Sequence, residues 1–191
     1  MSPPEADPPI PAISPIQLAY QWAIATCNAP NVGYSQAYRD QQTVDGITYY
    51  DCSSFVWYAL KAGGYPVVDA YGNWPFTTYT MGRVLENLGF YHADSSLVDP
   101  WLPGDIVVFK GDIDQGTGHT EMVYDGFRTM GAHNSHLPLA DQVSINTYDS
   151  SPSTYPDLYR SPDGPVPPGP YGRRLPVWLI KKALQNGGVI P

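Results

Sequence analysis

Between Ser14 and Cys27 the apolar residues recur at helical spacing. Ile16, Ala19, Tyr20, Ala23, Ile24 and Cys27 fall on one face of a helix. Ser14-Pro15-Ile16-Gln17 supplies its start, with an N-cap Ser, a Pro at the first helical position and a capping-box Gln. Cys27 lies on the apolar stripe and reads as a small core residue, because apolar surroundings disfavour a thiolate. The stretch from Asn28 to Tyr50 is polar and aromatic and reads as a loop. Asp51 then opens a second helix, CSSFVWYALKA, with Phe55, Val56, Ala59 and Leu60 on its apolar side and Gly63-Gly64 closing it. A third helix, from about Thr78 to Leu88, carries Met81, Val84, Leu85 and Leu88 inward and stops at Gly89. Three helices thus precede any convincing strand.

After the turn Pro103-Gly104-Asp105 the pattern changes to strands: IVVFK, HTEMVYD, FRTMGAH and QVSIN, with Asp125-Gly126 as a hairpin signal between the second and third. Helices followed by an antiparallel meander make an α+β fold. Ser150 to Gly172 is rich in Pro, Ser and Tyr without periodicity, and is expected to run over the surface as a loop or linker. The Pro-rich residues 1–13 read as a tail. The last segment, within 173–191, holds RRLPVWLIKKAL, apolar enough to dock on a catalytic domain spanning 14–149, as strand or short helix.

The chain has 191 residues, the size of one domain with appendages. Its 18 acidic side chains against 10 basic ones give a formal charge of -8, which repels phosphate backbones and anionic membrane surfaces. Nucleic acid is therefore excluded as an expected partner. No stretch reads as a membrane span, and MSPPEADPPIPAIS lacks the basic and apolar regions of a signal peptide, so the chain is expected to start in the cytoplasm. Cys27 and Cys52 sit in dissimilar settings and are expected to stay unpaired.

Cys52 reads either as a nucleophile or as a second buried small residue. It stands in the first turn of its helix, where free N–H groups and the positive end of the dipole favour a thiolate, and its neighbours Asp51, Ser53 and Ser54 are polar. A thiolate needs a base and an orienter. His119 begins a strand after the Gly-rich GDIDQGTG, and His133 ends the strand across the hairpin, so antiparallel pairing returns it beside His119. His92 reads as a surface loop residue without a partner. A rival reading makes His119 and His133 metal ligands, joined by Cys52 or His136, although no CxxC or HExxH spacing supports it. Period two puts Glu121 on the face of His119, where it assists His119, binds a substrate amine, or stands solvated at a strand end, the last being the default.

The segments YYDCSSFVWYALKAGG, PGDIVVFKG, GHTEMVYDG and MGAHNSH, in that order and spacing, resemble the NlpC-type cysteine peptidases, especially their bacteriophage peptidoglycan-hydrolase branch. Tyr34-Ser35 to Arg39 is similar to that branch too, and the likeness spans about residues 14 to 147. The resemblance implies a papain-like α+β core in which the Cys caps a helix packed on the sheet. It implies Cys52 as nucleophile, His119 as base, His133 as the residue orienting the imidazole, and Tyr34 as a tyrosine lining the site near the oxyanion. The interval from His119 to His133 is longer than the family pattern, which leaves Asn134 in reserve as third member. Glu121 replaces a residue that is usually small.

With Asp51, Ser53, Glu121 and Asn134 as further candidates for substrate contact, the expected activity is hydrolysis of an amide bond in the cell-wall stem peptide. The cut falls after muramic acid or within the stem. No metal or organic cofactor is required. The expected partner is bacterial peptidoglycan, with phage virion or tail proteins as further partners for a virion-associated enzyme. The competing expectations are an inactive structural or wall-binding component on the same fold, and a cysteine acyltransferase or deamidase.

Overall fold

The structure, a computed structural model, describes residues 12–72, 74–93, 101–109, 111, 118–126, 128–147, 156–164 and 166. Most of the Pro-rich tail, most of the Gly-rich stretch before His119, and the RRLPVWLIKKAL segment lie outside the described residues. In chain order the elements are α1 (Pro15–Cys27), β1 (Val32–Tyr34), β2 (Thr43–Val44), β3 (Ile47–Tyr50), α2 (Cys52–Ala62), α3 (Val67–Tyr71), α4 (Met81–Asn87), β4 (Tyr91–Ala93), β5 (Ile106–Phe109), β6 (His119–Val123), β7 (Arg128–Ala132), α5 (Leu139–Gln142), β8 (Val143–Thr147) and β9 (Asp157–Arg160). The fold is α+β, but the helices do not all precede the strands as expected: β1, β2 and β3 lie between α1 and α2, and α5 lies between β7 and β8.

Among the described residues the main sheet has six strands in the order β4-β9-β5-β6-β7-β8, all neighbours antiparallel. A small second sheet, β1-β3-β2, occupies the stretch expected to be a loop. Its strands are too short to show periodicity, and they form by pairing with one another: Tyr34 lies opposite Tyr50, and Thr43 opposite Thr48. The larger departure is β9. Residues 157–160 belong to the stretch expected to run over the surface, yet they sit between β4 and β5, with Leu158 and Tyr159 buried. Four residues flanked by turns carry no strand signal of their own. Their place is fixed by two neighbours and by the forked ion pair of Arg160 with buried Asp105, at 2.8 and 2.6 Å.

Helix α1 begins at the capping box of Ser14 and Gln17, and it buries Ile16, Ala19, Tyr20 and Ala23 as its periodicity requires. It also buries Trp22, whose ring meets Tyr50 and Phe55. Ile24 and Cys27, at the end of the stripe, are only half-buried. Helix α2 is buried on more than its apolar side: Phe55, Val56, Ala59 and Leu60 are wholly enclosed, and Ser53 and Ser54 are buried as well. Phe55, Val56 and Leu60 each contribute roughly 1.5–3 kcal/mol on burial, which anchors α2 and with it the turn that carries Cys52.

The sheet alternates cleanly. Ile106, Val108, Met122, Met130 and Ala132 belong to the main core shared with α1 and α2, whereas Val107, Val123 and Leu158 form a second, smaller cluster. Glu121 is paired with Val107 in the ladder, so it shares a face with that smaller cluster.

Candidate active site

The first turn of α2 is built by Asp51. Its carboxylate accepts from the Ser54 backbone N–H at 2.7 Å, and the Ser54 hydroxyl accepts from the Asp51 N–H at 2.9 Å, a reciprocal capping box. Cys52 occupies the first helical position, is buried, and is a free thiol. Its Sγ lies 4.0 Å from the carbonyl oxygen of Gly118, the residue just before β6. The helix N-terminus and the start of β6 therefore meet at this sulfur.

His119 opens β6 with its ring partly exposed. Burial works against a charged ring, but hydrogen bonds to Cys52 and Glu121 and the charges of both outweigh it, pushing the imidazole up from 6.5 to about 10. Nε2 of His119 lies 3.1 Å from Oε1 of Glu121, and Nδ1 of His133 lies 3.0 Å from the same oxygen. The second carboxylate oxygen accepts from the hydroxyl of Thr129. Burial opposes a charged Glu121, yet these partners overcome it and hold the carboxyl well below the usual carboxylate range. On the far side of His133, Nε2 faces the Asn146 amide nitrogen at 3.1 Å. An amide donor there makes Nδ1–H the donor to Glu121. His119, Glu121, His133 and Asn146 thus form one hydrogen-bonded chain that starts beside Cys52.

Glu121 corrects the expectation of a solvated strand end, since its side chain is 8% exposed. Space for it comes from Gly131 on the neighbouring strand. A Cβ there would stand 3.0 Å from Cγ and 3.3 Å from Oε1 of Glu121. His133 is brought to the site, but its ring centroid is 6.3 Å from that of His119, and the carboxylate bridges the two. Asn134 turns back on its own loop, accepting from the His136 N–H at 2.9 Å, and it is exposed.

Tyr34 is half-buried at the end of β1, where its backbone N–H donates to Gln142 at 2.9 Å. Its hydroxyl is raised above the usual value, first by burial and next by the nearby charge of Cys52, so it stands at the same site. Asp51 and Ser53 are near the sulfur in sequence, but both are buried and committed to the cap: the Ser53 hydroxyl donates to Asp51 at 3.1 Å. They have no free side for substrate. His92 also departs from expectation. It lies on β4, not in a loop, with Asp157 at 3.1 Å and the Tyr159 ring stacked at 5.0 Å.

Sequence reasoning missed Thr129, Asn146, Gly131 and Arg39 as parts of this region. Thr129 and Asn146 become visible only through register, which sets them opposite one another on β7 and β8. Among the described residues, the side chains grouped closely enough to hold a metal ion are His119, Glu121 and His133, whose ligand atoms lie within 4.8 Å of one another. The third member of such a set is Glu121, not His136 or Cys52 as expected.

No helix among the described residues is long and apolar enough to cross a membrane. No curated protein matches the chain. A family model does, covering α1 through β9, and the chain thereby belongs to the bacteriophage peptidoglycan hydrolase family, matched over residues 16–164.

Proposed function

We propose that this peptidoglycan hydrolase is a cysteine enzyme of NlpC type with a papain-like core, cutting an amide bond of the stem peptide. The observation that carries the reading is Cys52 in the first turn of α2, its Sγ meeting the start of β6, where Nε2 of His119 is held by buried Glu121. His119, pushed up to about 10, takes or shares the proton of the Cys52 thiol. The thiolate attacks the amide carbonyl, and the backbone N–H of Cys52 holds the oxyanion beside Tyr34. His119 gives its proton to the leaving amine, then takes one from the water that releases the thioester. Glu121 orients His119, and His133 with Asn146 fixes Glu121. The third member of the site is therefore the Glu121–His133 unit, with Asn134 outside it.

The bond is the muramoyl–L-Ala amide or one within the stem, and the enzyme acts on the wall after release from the cell or from the virion. The catalytic unit runs from Ser14 through β9, not to residue 149, with the Pro-rich tail and the 173–191 segment appended.

Digestion of purified sacculi by wild type and Cys52→Ala, with mass spectrometry of the fragments, tests the proposal. New muramoyl ends identify the amidase, and new amino ends on the diamino acid identify the endopeptidase. Equal release by the two proteins refutes the cysteine mechanism.

The His119, Glu121 and His133 cluster favours a second reading, a metal-dependent hydrolase. The same assay separates the two. The cysteine enzyme loses activity to iodoacetamide and keeps it in a chelator, whereas the metal enzyme does the reverse.

A further inference from the structure

Asp51 poses an electrostatic problem. It caps α2 well, but it places a buried carboxylate one residue before the thiol, where a negative charge opposes thiolate formation. The chain answers with Arg39, which comes from the stretch between β1 and β2. Its Nε donates to Asp51 Oδ2 at 2.5 Å, and Nη2 donates to the Ser53 hydroxyl at 2.9 Å and to the Phe76 carbonyl at 2.5 Å. Nη1 donates to the Pro75 carbonyl at 3.1 Å. One guanidinium thus joins three separate segments at the helix N-terminus, with its side chain 19% exposed and that of Asp51 11% exposed.

Resting on the cysteine reading above, we propose that Arg39 is a positioning residue that neutralises the cap carboxylate, so that Cys52 meets the helix N-terminus and His119 without repulsion from Asp51. A purely mechanical latch would have a different signature. If Arg39 only ties segments together, its loss slows the thiol whether or not Asp51 is charged, so Arg39→Met and the double variant are equally slow. If it balances charge, deleting the Asp51 charge restores the rate that Arg39→Met loses. Asn caps a helix about as well as Asp, so Asp51→Asn keeps the turn while deleting the charge.

The test is iodoacetamide alkylation of the full chain at about pH 6, where the rate follows the thiolate fraction, with Cys52 and Cys27 peptides separated by mass spectrometry. Arg39→Met is expected to slow Cys52 about tenfold, because it exposes the thiolate to an uncompensated like charge. Asp51→Asn is expected to react at least as fast as wild type. The double variant Arg39→Met/Asp51→Asn is expected to return to within about threefold of wild type. Circular dichroism checks the fold. Asp51→Asn and the double variant decide the matter even if Arg39→Met fails to fold.

The proposal is overturned if Asp51→Asn is slowed tenfold, if the double variant stays as slow as Arg39→Met, or if folded Arg39→Met reacts like wild type. Each of these leaves the cysteine reading standing, provided wild-type Cys52 outpaces Cys27. A wild-type Cys52 as slow as Cys27 removes both.

Discussion

Two histidine–carboxylate pairs on the same sheet have the same separation and different surroundings. His92 meets Asp157 at 3.1 Å across the β4–β9 edge, with the side chains 48% and 27% exposed. His119 meets Glu121 at 3.1 Å within β6, with the side chains 34% and 8% exposed. The outer pair is a surface contact of the kind that contributes little. The inner pair is locked: Thr129 and His133 hold the carboxylate, Asn146 backs His133, and the Cys52 thiol stands at Gly118, next to His119 in the chain. A distance alone does not make a site. A buried carboxylate with every partner supplied can hold a ring in one orientation and one charge state, and an exposed one cannot.

The largest expected effect falls on the inner ring. His119→Ala should lower fragment release from sacculi by about 10²–10⁴-fold, the usual contribution of an acid–base group. Loss of less than tenfold would place the base elsewhere. Glu121→Gln should cost about 10–100-fold in the same assay, as loss of an orienting partner does. It should also move the alkaline limb of the pH–rate profile down from about 10 toward 6.5, since the hydrogen bond and charge of Glu121 that help raise His119 are gone. A limb that stays in place would show that Glu121 does not set the ring's charge.

Stability should follow the same pair. The folded His119 lies above its ordinary 6.5, so its contribution is complete below 6.5 and fades as pH rises toward about 10. The folded Glu121 lies below its ordinary 4.5, so its contribution is complete above 4.5 and fades in acid. The thermal midpoint of wild type minus that of Glu121→Gln should therefore be greatest between pH 4.5 and 6.5. A flat difference from 6.5 to 10 would contradict the coupling. The smallest effect belongs to the outer pair. His92→Ala should leave sacculus digestion unchanged and alter unfolding free energy by no more than about 0.5 kcal/mol by denaturant titration. A large activity loss there would erase the contrast between the pairs.

Much of this was legible from one dimension. Helical periodicity, the Ser14–Gln17 capping box and Asp51 at the head of its helix place α1 and α2, because caps and apolar stripes are local codes. They put Cys52 at a helix N-terminus, and the hairpin signal at Asp125-Gly126 returns His133 toward His119. The β1-β3-β2 sheet and β9 left no such trace, since strands of two to four residues draw their stability from partners and not from their own pattern.

The sequence by itself determined the α+β class, the helix that presents Cys52, the strand that opens with His119 and the strand that His133 follows. Only the tertiary structure decided what those residues meet. Glu121 became a buried bridge instead of a solvated strand end because Gly131 leaves room beside it and Thr129 and His133 satisfy its oxygens. Asp51 and Ser53 became cap and Arg39 ligands because a residue far along the loop folds back onto them. Burial and hydrogen-bond satisfaction are properties of neighbours in space, and a chain read along its length does not contain them.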